Sequence, residues 1–232
     1  MENRLVVTRS DNGIKEITDI THNILINYAE KCEAEFIILE DAPEGLHPHW
    51  RILQLYDLFE EYDRILMLDS DVLILKNCPN LFALVSPDMI GSIYEDVGSR
   101  LEKRRSVIYD IQQQRGNVGW ESGSPNTGCF ICSKEHREIF NVDRNNLWPH
   151  FLGADDVELG YHIHRLGFKI WELPFRFNHM TMFSEPWNNS ASRFDSFIIH
   201  YAGTGIFLHT CKNRLENIRQ DFLILKKYKL II

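Results

Sequence analysis

The amino-acid sequence predicts a single α/β domain with a mostly parallel, Rossmann-like central sheet and helices on both of its faces. Short apolar segments at residues 5–8, 36–39 and 65–68 alternate with helical patterns in the first part of the chain. Apolar strands that alternate with helices are typical of a parallel sheet that is covered on both faces. The chain has 232 residues, which suits one sizeable domain of this class.

Apolar side chains at helical spacing predict a helix after each of the first two strands. The first helix covers about residues 18–31 and carries Ile24 and Tyr28 on its apolar face. The second covers about residues 49–60 and shows the same spacing. Right-handed crossovers between the parallel strands would make this part of the chain a doubly wound half-domain.

The second half of the chain has a less regular pattern. Strands are predicted at residues 89–93, 128–133 and 197–199, and helices at about residues 155–166 and 215–225. Between the first two of these strands, residues 96–124 are polar and charged. A connection of this length is either a functional loop or a solvated insertion.

Charge and cysteine usage restrict the class of protein. The formal net charge is −8, which argues against nucleic acid as the main partner. The five cysteines show no disulfide framework, so we expect a reducing compartment. Cys129 and Cys132 point to opposite faces of a predicted strand and are expected to be buried structural residues. Without a signal-peptide pattern or an apolar run of about 18–20 residues, we expect a cytoplasmic protein with no membrane span.

Two acids, Asp69 and Asp71, directly follow the third apolar strand and precede another apolar run. Acids between hydrophobic segments are costly unless a positive charge neutralises them. Open α/β sheets bind ligands at the carboxyl ends of their strands, and alternate residues of an extended segment point the same way. Carboxylate oxygens suit Mn²⁺ or Mg²⁺, so the segment predicts a metal site that would bind a diphosphate. The alternative is an acidic turn between two strands.

The segment from Glu61 to Leu73, EYDRILMLDSDVL, resembles the DxD segment of GT-A fold glycosyltransferases, particularly the glycogenin-like family. The resemblance extends at intervals from about residue 5 to residue 205. It implies an enzyme that uses Mn²⁺ or Mg²⁺ to move a sugar from a nucleotide-sugar donor, a UDP-sugar in particular, to a hydroxyl of a glycan acceptor.

The resemblance also implies roles for residues of the donor site. Thr8, Arg9 and Ser10 would hold the nucleobase at the end of the first strand, and Ser70 would lie in the donor site between the two metal ligands. Arg51 occupies the position of a basic residue that reaches the nucleotide. A surface charge on the predicted helix explains Arg51 equally well.

Three further segments are similar to motifs of these enzymes. Asn126 lies in a Pro-Asn-Thr-Gly segment similar to the fNsG segment of the glycogenin-like family, which implies sugar or acceptor contacts. Asp155 and Asp156 resemble the GgeDdd segment of inverting GT-A enzymes, which implies a general base at Asp156 and sugar or acceptor contacts from Asp155. Helix capping is the simpler alternative for both acids. His200 is implied as the third metal ligand, whereas by itself it would be taken for a core residue.

The chain differs from the glycogenin-like family at two segments, and these differences leave the mechanism open. The glycogenin-like family has a Lys-Pro-Trp segment that contacts phosphate where this chain has Thr204 to Phe207, and Lys212 is a candidate replacement. Glycogenin-like enzymes retain the anomeric configuration, whereas the Asp155-Asp156 motif implies inversion. We favour inversion with Asp156 as the base, and a retaining transferase is the alternative.

Two other classes of protein are alternatives to a transferase. A nucleotidylyltransferase would need a Gly-rich basic loop after the first strand, which residues 8–13 do not supply. A non-catalytic nucleotide-sugar binding module is compatible with the same residues.

Within one domain we expect a nucleotide-binding half at about residues 1–95, a flexible loop at 96–124 and an acceptor half at 125–232. The source would be a bacterium or a large DNA virus that acts in host cytoplasm, and the chain would suit a domain of a larger enzyme.

Overall fold

The structure, a computed structural model, describes residues 2–149, 153–203 and 213–232. Within these residues, the strands are Arg4–Arg9 (β1), Glu35–Leu39 (β2), Arg64–Leu68 (β3), Val72–Ile74 (β4), Ile90–Tyr94 (β5), Pro125–Ser133 (β6), Ile170–Glu172 (β7) and Ile198–His200 (β8). The α-helices are Lys15–Lys31 (α1), Leu55–Leu58 (α2), Leu81–Leu84 (α3), Leu101–Arg115 (α4), Ala154–Leu166 (α5) and Arg214–Lys227 (α6). None of the helices in the described ranges is long and apolar enough to cross a bilayer.

Among the described residues, six strands form the central sheet in the order β2-β1-β3-β6-β5-β7, and β4 pairs with β8 in a small second sheet. β1 is parallel to β2 and β3, and β5 is parallel to β7. β6 is antiparallel to both of its neighbours. The prediction of a single α/β domain with a mostly parallel central sheet is therefore confirmed.

The central sheet separates two hydrophobic layers. Val6 of β1 packs in one layer with residues of α1, whereas Val7 packs in the layer on the opposite face. Cys129 lies in the first layer and Cys132 in the second, and both are fully buried free thiols. Burial raises the pKa of both thiols well above the usual range. The prediction that these cysteines are buried and point to opposite faces is confirmed.

The helix predicted at residues 49–60 is wrong in type. The chain forms a 3-10 helix at Pro48–Gln54, followed by the short α2. Four successive residues, Trp50 to Leu53, are buried in the 3-10 helix. This burial of successive residues differs from the single apolar stripe that the sequence pattern implied for an amphipathic α-helix.

The segment 96–124, predicted to be a loop, contains the 15-residue α4. Val107, Ile108 and Ile111 of α4 pack with Trp120 and other residues in a separate small core. Because this long charged run contains few apolar side chains, its sequence shows no clear helical pattern. The helix is therefore stabilised by packing that the local sequence does not reveal.

The residues of the predicted site lie along one edge of the central sheet. β1, β3 and β5 run in the same direction, so Arg9, Asp69 and Glu95 lie at or just after their carboxyl ends. β6 runs the opposite way and begins at this edge, where the Gly128 carbonyl accepts a 3.0 Å hydrogen bond from the Asp69 N–H. His200 ends β8, whose partner β4 directly follows the two acids. The topology thus gathers residues from distant parts of the sequence.

Candidate active site

Asp69, Asp71 and His200 form a compact cluster of metal-ligand type. One ligand atom from each residue lies within 4.8 Å of the other two. His200 Nε2 is 3.5 Å from Asp69 Oδ2 and 3.3 Å from Asp71 Oδ1. Two carboxylates and one imidazole suit Mn²⁺ or a similar ion, and three protein ligands leave coordination positions for phosphate oxygens. The structure therefore brings the three predicted ligands together around one point.

The neighbouring strand leaves room for this cluster because residue 128 is glycine. A Cβ at Gly128 would lie 2.5 Å from His200 Cε1 and 2.8 Å from Asp69 Oδ2. Both distances are shorter than a carbon atom tolerates, so any larger residue would displace a ligand. The space left by Gly128 and the short distances among the three ligands fit a bound divalent cation.

The charges of the cluster stabilise one another against burial. Burial opposes ionisation of Asp71, but the charges of His200 and Arg214 lower the pKa of Asp71 to about 2. Burial favours the neutral ring of His200, but Asp71 and Asp69 overcome it and raise the pKa of His200. A cation bound at this point would replace the proton on Nε2, because an imidazole must be deprotonated at the nitrogen that binds a metal.

Arg9 connects the metal cluster with the acid pair that begins α5. Its Nε donates to Asp69 Oδ1 at 2.9 Å, and its Nη1 donates to Asp155 Oδ2. Nη1 also donates to the His49 carbonyl at 2.8 Å, and Nη2 donates to Thr127 Oγ1 at 3.2 Å. Each nitrogen of the guanidinium thus has an acceptor within the protein. Arg9, which the sequence predicts to contact a nucleobase, joins the two acidic groups of the site.

Asp155 and Asp156 are adjacent, but their environments differ. Burial opposes ionisation of Asp155, but the Arg9 charge and a hydrogen bond from His49 hold the pKa of Asp155 well below its usual range. Burial and the negative charges of Asp155 and Glu95 raise the pKa of Asp156 to about 7. Near neutral pH, Asp155 is therefore ionised, whereas Asp156 is close to the pH at which it gains or loses a proton.

Thr127 contacts both acids of the pair. Thr127 Oγ1 lies 2.8 Å from Asp155 Oδ2 and 2.9 Å from Asp156 Oδ1. A hydroxyl group has one proton, so it can donate to only one of these two oxygens. The Thr127 N–H also donates to Asp156 Oδ1, at 2.8 Å, and this hydrogen bond partly opposes the raised pKa of Asp156.

A second group of buried charges lies beside Asp156 and was not predicted. Glu95 is 1% exposed, and its Oε2 accepts hydrogen bonds from Arg100, at 2.8 Å, and from Arg104. Arg104 Nη2 also lies 3.5 Å from Asp156 Oδ2. The sequence contained a signal for Glu95, because it follows an apolar strand in the same way as Asp69 does.

The residues predicted to bind the donor fall into two groups. Arg51 and Ser70 line the same cleft of about 480 Å³ as the metal cluster and the acid pair. Arg51 Nη2 donates to Asp11 Oδ2 at 2.6 Å. Thr8 is fully buried within β1, and Ser10 lies in a separate recess beside His22. Thr8 and Ser10 are therefore not among the residues that line the cleft.

A further cation lines the cleft from the start of α6. Arg214 Nη1 donates to Asp71 Oδ2 at 2.9 Å, so it lies next to the metal cluster. Sequence reasoning missed Arg214, because it lies in a polar helix start with no distinguishing motif. The candidate phosphate ligand Lys212 and the segment from Thr204 to Phe207 lie outside the described residues.

The fold is similar to that of solved glycosyltransferases. A glycosyltransferase involved in the glycosylation of the major capsid of PBCV-1 has a TM-score of 0.60 and 14% identity, over 94% of this chain and 99% of that one. The galactosyltransferase LgtC, in complex with donor and acceptor sugar analogs, has a TM-score of 0.60 and 13% identity, over 95% of each chain. A variant of Drosophila β1,4-galactosyltransferase 7, in complex with manganese, UDP-Gal and xylobiose, has a TM-score of 0.50 and 12% identity, over 94% of this chain and 80% of that one.

These likenesses show that the chain has the GT-A fold. No protein-family model and no curated protein sequence matches the chain. At such low identities the likeness is one of fold, so residue roles must be argued from the site itself.

Proposed function

We propose that the protein is a metal-dependent glycosyltransferase that moves a sugar from a nucleoside-diphosphate sugar, a UDP-sugar, to a hydroxyl of a glycan. One observation carries the proposal: the metal-type cluster and the Asp155–Asp156 pair line a single cleft and are joined by Arg9. The GT-A fold supports it, and one structural neighbour holds manganese together with UDP-Gal.

The cluster of Asp69, Asp71 and His200 would form the donor side of the site. Mn²⁺ or Mg²⁺ held there would neutralise the charge that develops on the leaving diphosphate. Arg214 and Arg51 line the same cleft and offer N–H donors toward a bound nucleotide. The donor would therefore lie between these arginines, with its sugar toward α5.

Asp156 would act as the base of an inverting reaction. The acceptor oxygen attacks the anomeric carbon, its proton passes to the Asp156 carboxylate, and the bond to the diphosphate breaks with the electron pair leaving on phosphate. A pKa of about 7 suits a group that accepts a proton near neutral pH. Asp155, held ionised beside Arg9, is suited to accept hydrogen bonds from sugar hydroxyls.

The test is turnover of UDP-sugars, measured as UDP release with and without an acceptor glycan. We expect release to need Mn²⁺ or Mg²⁺, to stop with a chelator and to be lost in Asp69→Asn and Asp71→Asn. Asp19→Asn on the exposed face of α1 is the matched control and should keep full activity. Release that is unchanged in both cluster variants would refute the metal assignment.

A second measurement separates the mechanisms. The anomeric configuration of the product, read by NMR, should be opposite to that of the donor. Asp156→Asn should bind Mn²⁺ and UDP normally but turn over slowly. A retained configuration would identify a retaining enzyme. Binding of metal and UDP-sugars with no turnover of any donor would identify a non-catalytic binding module.

A further inference from the structure

We propose that a buried amide pair, Asn178 and Asn126, fixes the tautomer and orientation of His200 and so determines the affinity of the metal site. The inference rests on the metal site of the proposed function. Asn178 is fully buried directly after the 3-10 helix Phe175–Phe177, and Asn126 is 7% exposed near the start of β6. Neither side chain belongs to the ligand cluster, so both are positioning residues.

The orientation of both amides follows from a single backbone group. The Gly128 N–H can only donate, and it lies 2.9 Å from the Asn126 side chain, so the atom that it meets is the oxygen Oδ1. This oxygen is also 2.6 Å from Asn178, which must therefore present its amide nitrogen. The Asn178 oxygen then faces His200 Nδ1 at 2.6 Å.

An amide oxygen accepts hydrogen bonds and cannot donate, so His200 Nδ1 must carry a proton. The other ring nitrogen, Nε2, faces Asp69 and Asp71. When a cation replaces the proton on Nε2, the ring is left as the Nδ1–H tautomer that Asn178 requires. Metal-binding imidazoles commonly donate their second N–H to a fixed acceptor, and loss of such an acceptor typically costs about 10–100-fold in metal affinity.

The amide pair is also hydrogen-bonded to the group of charges around Glu95. Asn126 Nδ2 donates to Glu95 Oε1 at 2.8 Å. Glu95 in turn accepts from Arg104, which lies beside Asp156. The side chain of Asn126 is therefore used within the protein at both of its polar atoms. This gives Asn126 a positioning role in place of the sugar contact that the motif resemblance implies.

The test compares Mn²⁺ dissociation constants, measured by electron paramagnetic resonance of the free ion without any nucleotide. Asn178→Leu removes the acceptor for His200 Nδ1–H, and we expect its dissociation constant to rise about 10–100-fold. Asn178→Asp keeps an acceptor for His200 Nδ1–H but places a second oxygen against Asn126 Oδ1, so its affinity should lie between those of the parent and Asn178→Leu. Unchanged affinity in Asn178→Leu, or an equal loss in both variants, would overturn the proposal.

Two further measurements keep the result interpretable. Tyr28→Phe removes a buried hydroxyl that donates to the Pro79 carbonyl at 2.6 Å, and it should lose stability without losing Mn²⁺ affinity. The ¹⁵N spectrum of the parent protein loaded with diamagnetic Zn²⁺ should show His200 protonated at Nδ1, and a proton on Nε2 would refute the inference without any variant. A parent protein that binds no metal would instead refute the proposed function.

Discussion

Replacement of Gly128 by alanine tests the metal site directly, because the perturbation is one methyl group on a strand. The added Cβ would lie 2.5 Å from His200 Cε1 and 2.8 Å from Asp69 Oδ2. Carbon atoms prefer separations of about 3.5–4.0 Å, so His200 must move by about 1 Å to relieve the contact.

The magnitude of the effect follows from this displacement. Ligand distances in a working metal site vary by only about 0.2 Å, so a shift of about 1 Å places His200 outside the tolerated range. We expect Gly128→Ala to weaken Mn²⁺ binding by at least about tenfold. Overpacking of a buried site also costs about 1–3 kcal/mol of folding free energy.

Gly91 on the neighbouring strand provides a matched control. A Cβ at Gly91 would lie 2.6 Å from Ile131 Cγ2 and 2.7 Å from Val85 Cγ2, so the crowding is similar but involves only apolar side chains. Gly91→Ala should lose a similar amount of stability in urea unfolding and keep the parent Mn²⁺ affinity. If Gly128→Ala binds Mn²⁺ as tightly as the parent, His200 and Asp69 do not form the site.

Four further predictions concern the charged groups. Transferase activity should rise with pH through about 7, because Asp156 must lose its proton to act as a base and its pKa is raised to about 7. A raised pKa contributes stability that is present below the unfolded value of 3.8 and is lost as pH rises through about 7, and the shift of Asp156 corresponds to about 4 kcal/mol. Asp156→Asn should therefore be more stable than the parent at pH 8, by up to about 4 kcal/mol in urea unfolding, and nearly equal at pH 4. Asp155→Asn removes a negative charge that raises the pKa of Asp156, so the acid limb of the pH–activity profile should move to lower pH; no movement would contradict the assigned cause. Asp221→Ala removes the acceptor of hydrogen bonds from Arg193, at 2.7 Å, and the Tyr201 hydroxyl, at 2.7 Å, and should cost about 2 kcal/mol in the same unfolding assay without changing Mn²⁺ affinity.

The sequence predicted the metal cluster because its two acids interrupt an apolar context. Asp69 and Asp71 follow a buried strand directly, where an unneutralised charge would be costly, so their pattern indicates a ligand. Their position at the carboxyl edge of the sheet followed from the strand order of the first half. His200 was found only through a motif resemblance, because one histidine after a strand has no local signature.

The positioning residues could not be predicted in the same way. Arg104 lies in a highly charged run, where the local pattern indicates a solvated segment, yet its side chain is only 10% exposed. Its burial depends on Glu95 and Asp156, which lie on other elements. Asn178 is a single amide in an irregular segment, and its partners lie 52 residues before it and 22 residues after it. Such contacts are set by tertiary packing rather than by periodicity.

The proposed function requires an acidic chain to bind an anionic donor. Among the described residues that line it, each arginine is already paired with a carboxylate. These pairs are Arg9 with Asp69 and Asp155, Arg51 with Asp11, Arg100 and Arg104 with Glu95, and Arg214 with Asp71. Under the proposed function, arginines neutralised in this way would orient a diphosphate but add little net positive charge, so a divalent cation between Asp69 and Asp71 would supply most of the attraction. For this reason the binding of UDP should depend on metal more strongly than on any single arginine of the cleft.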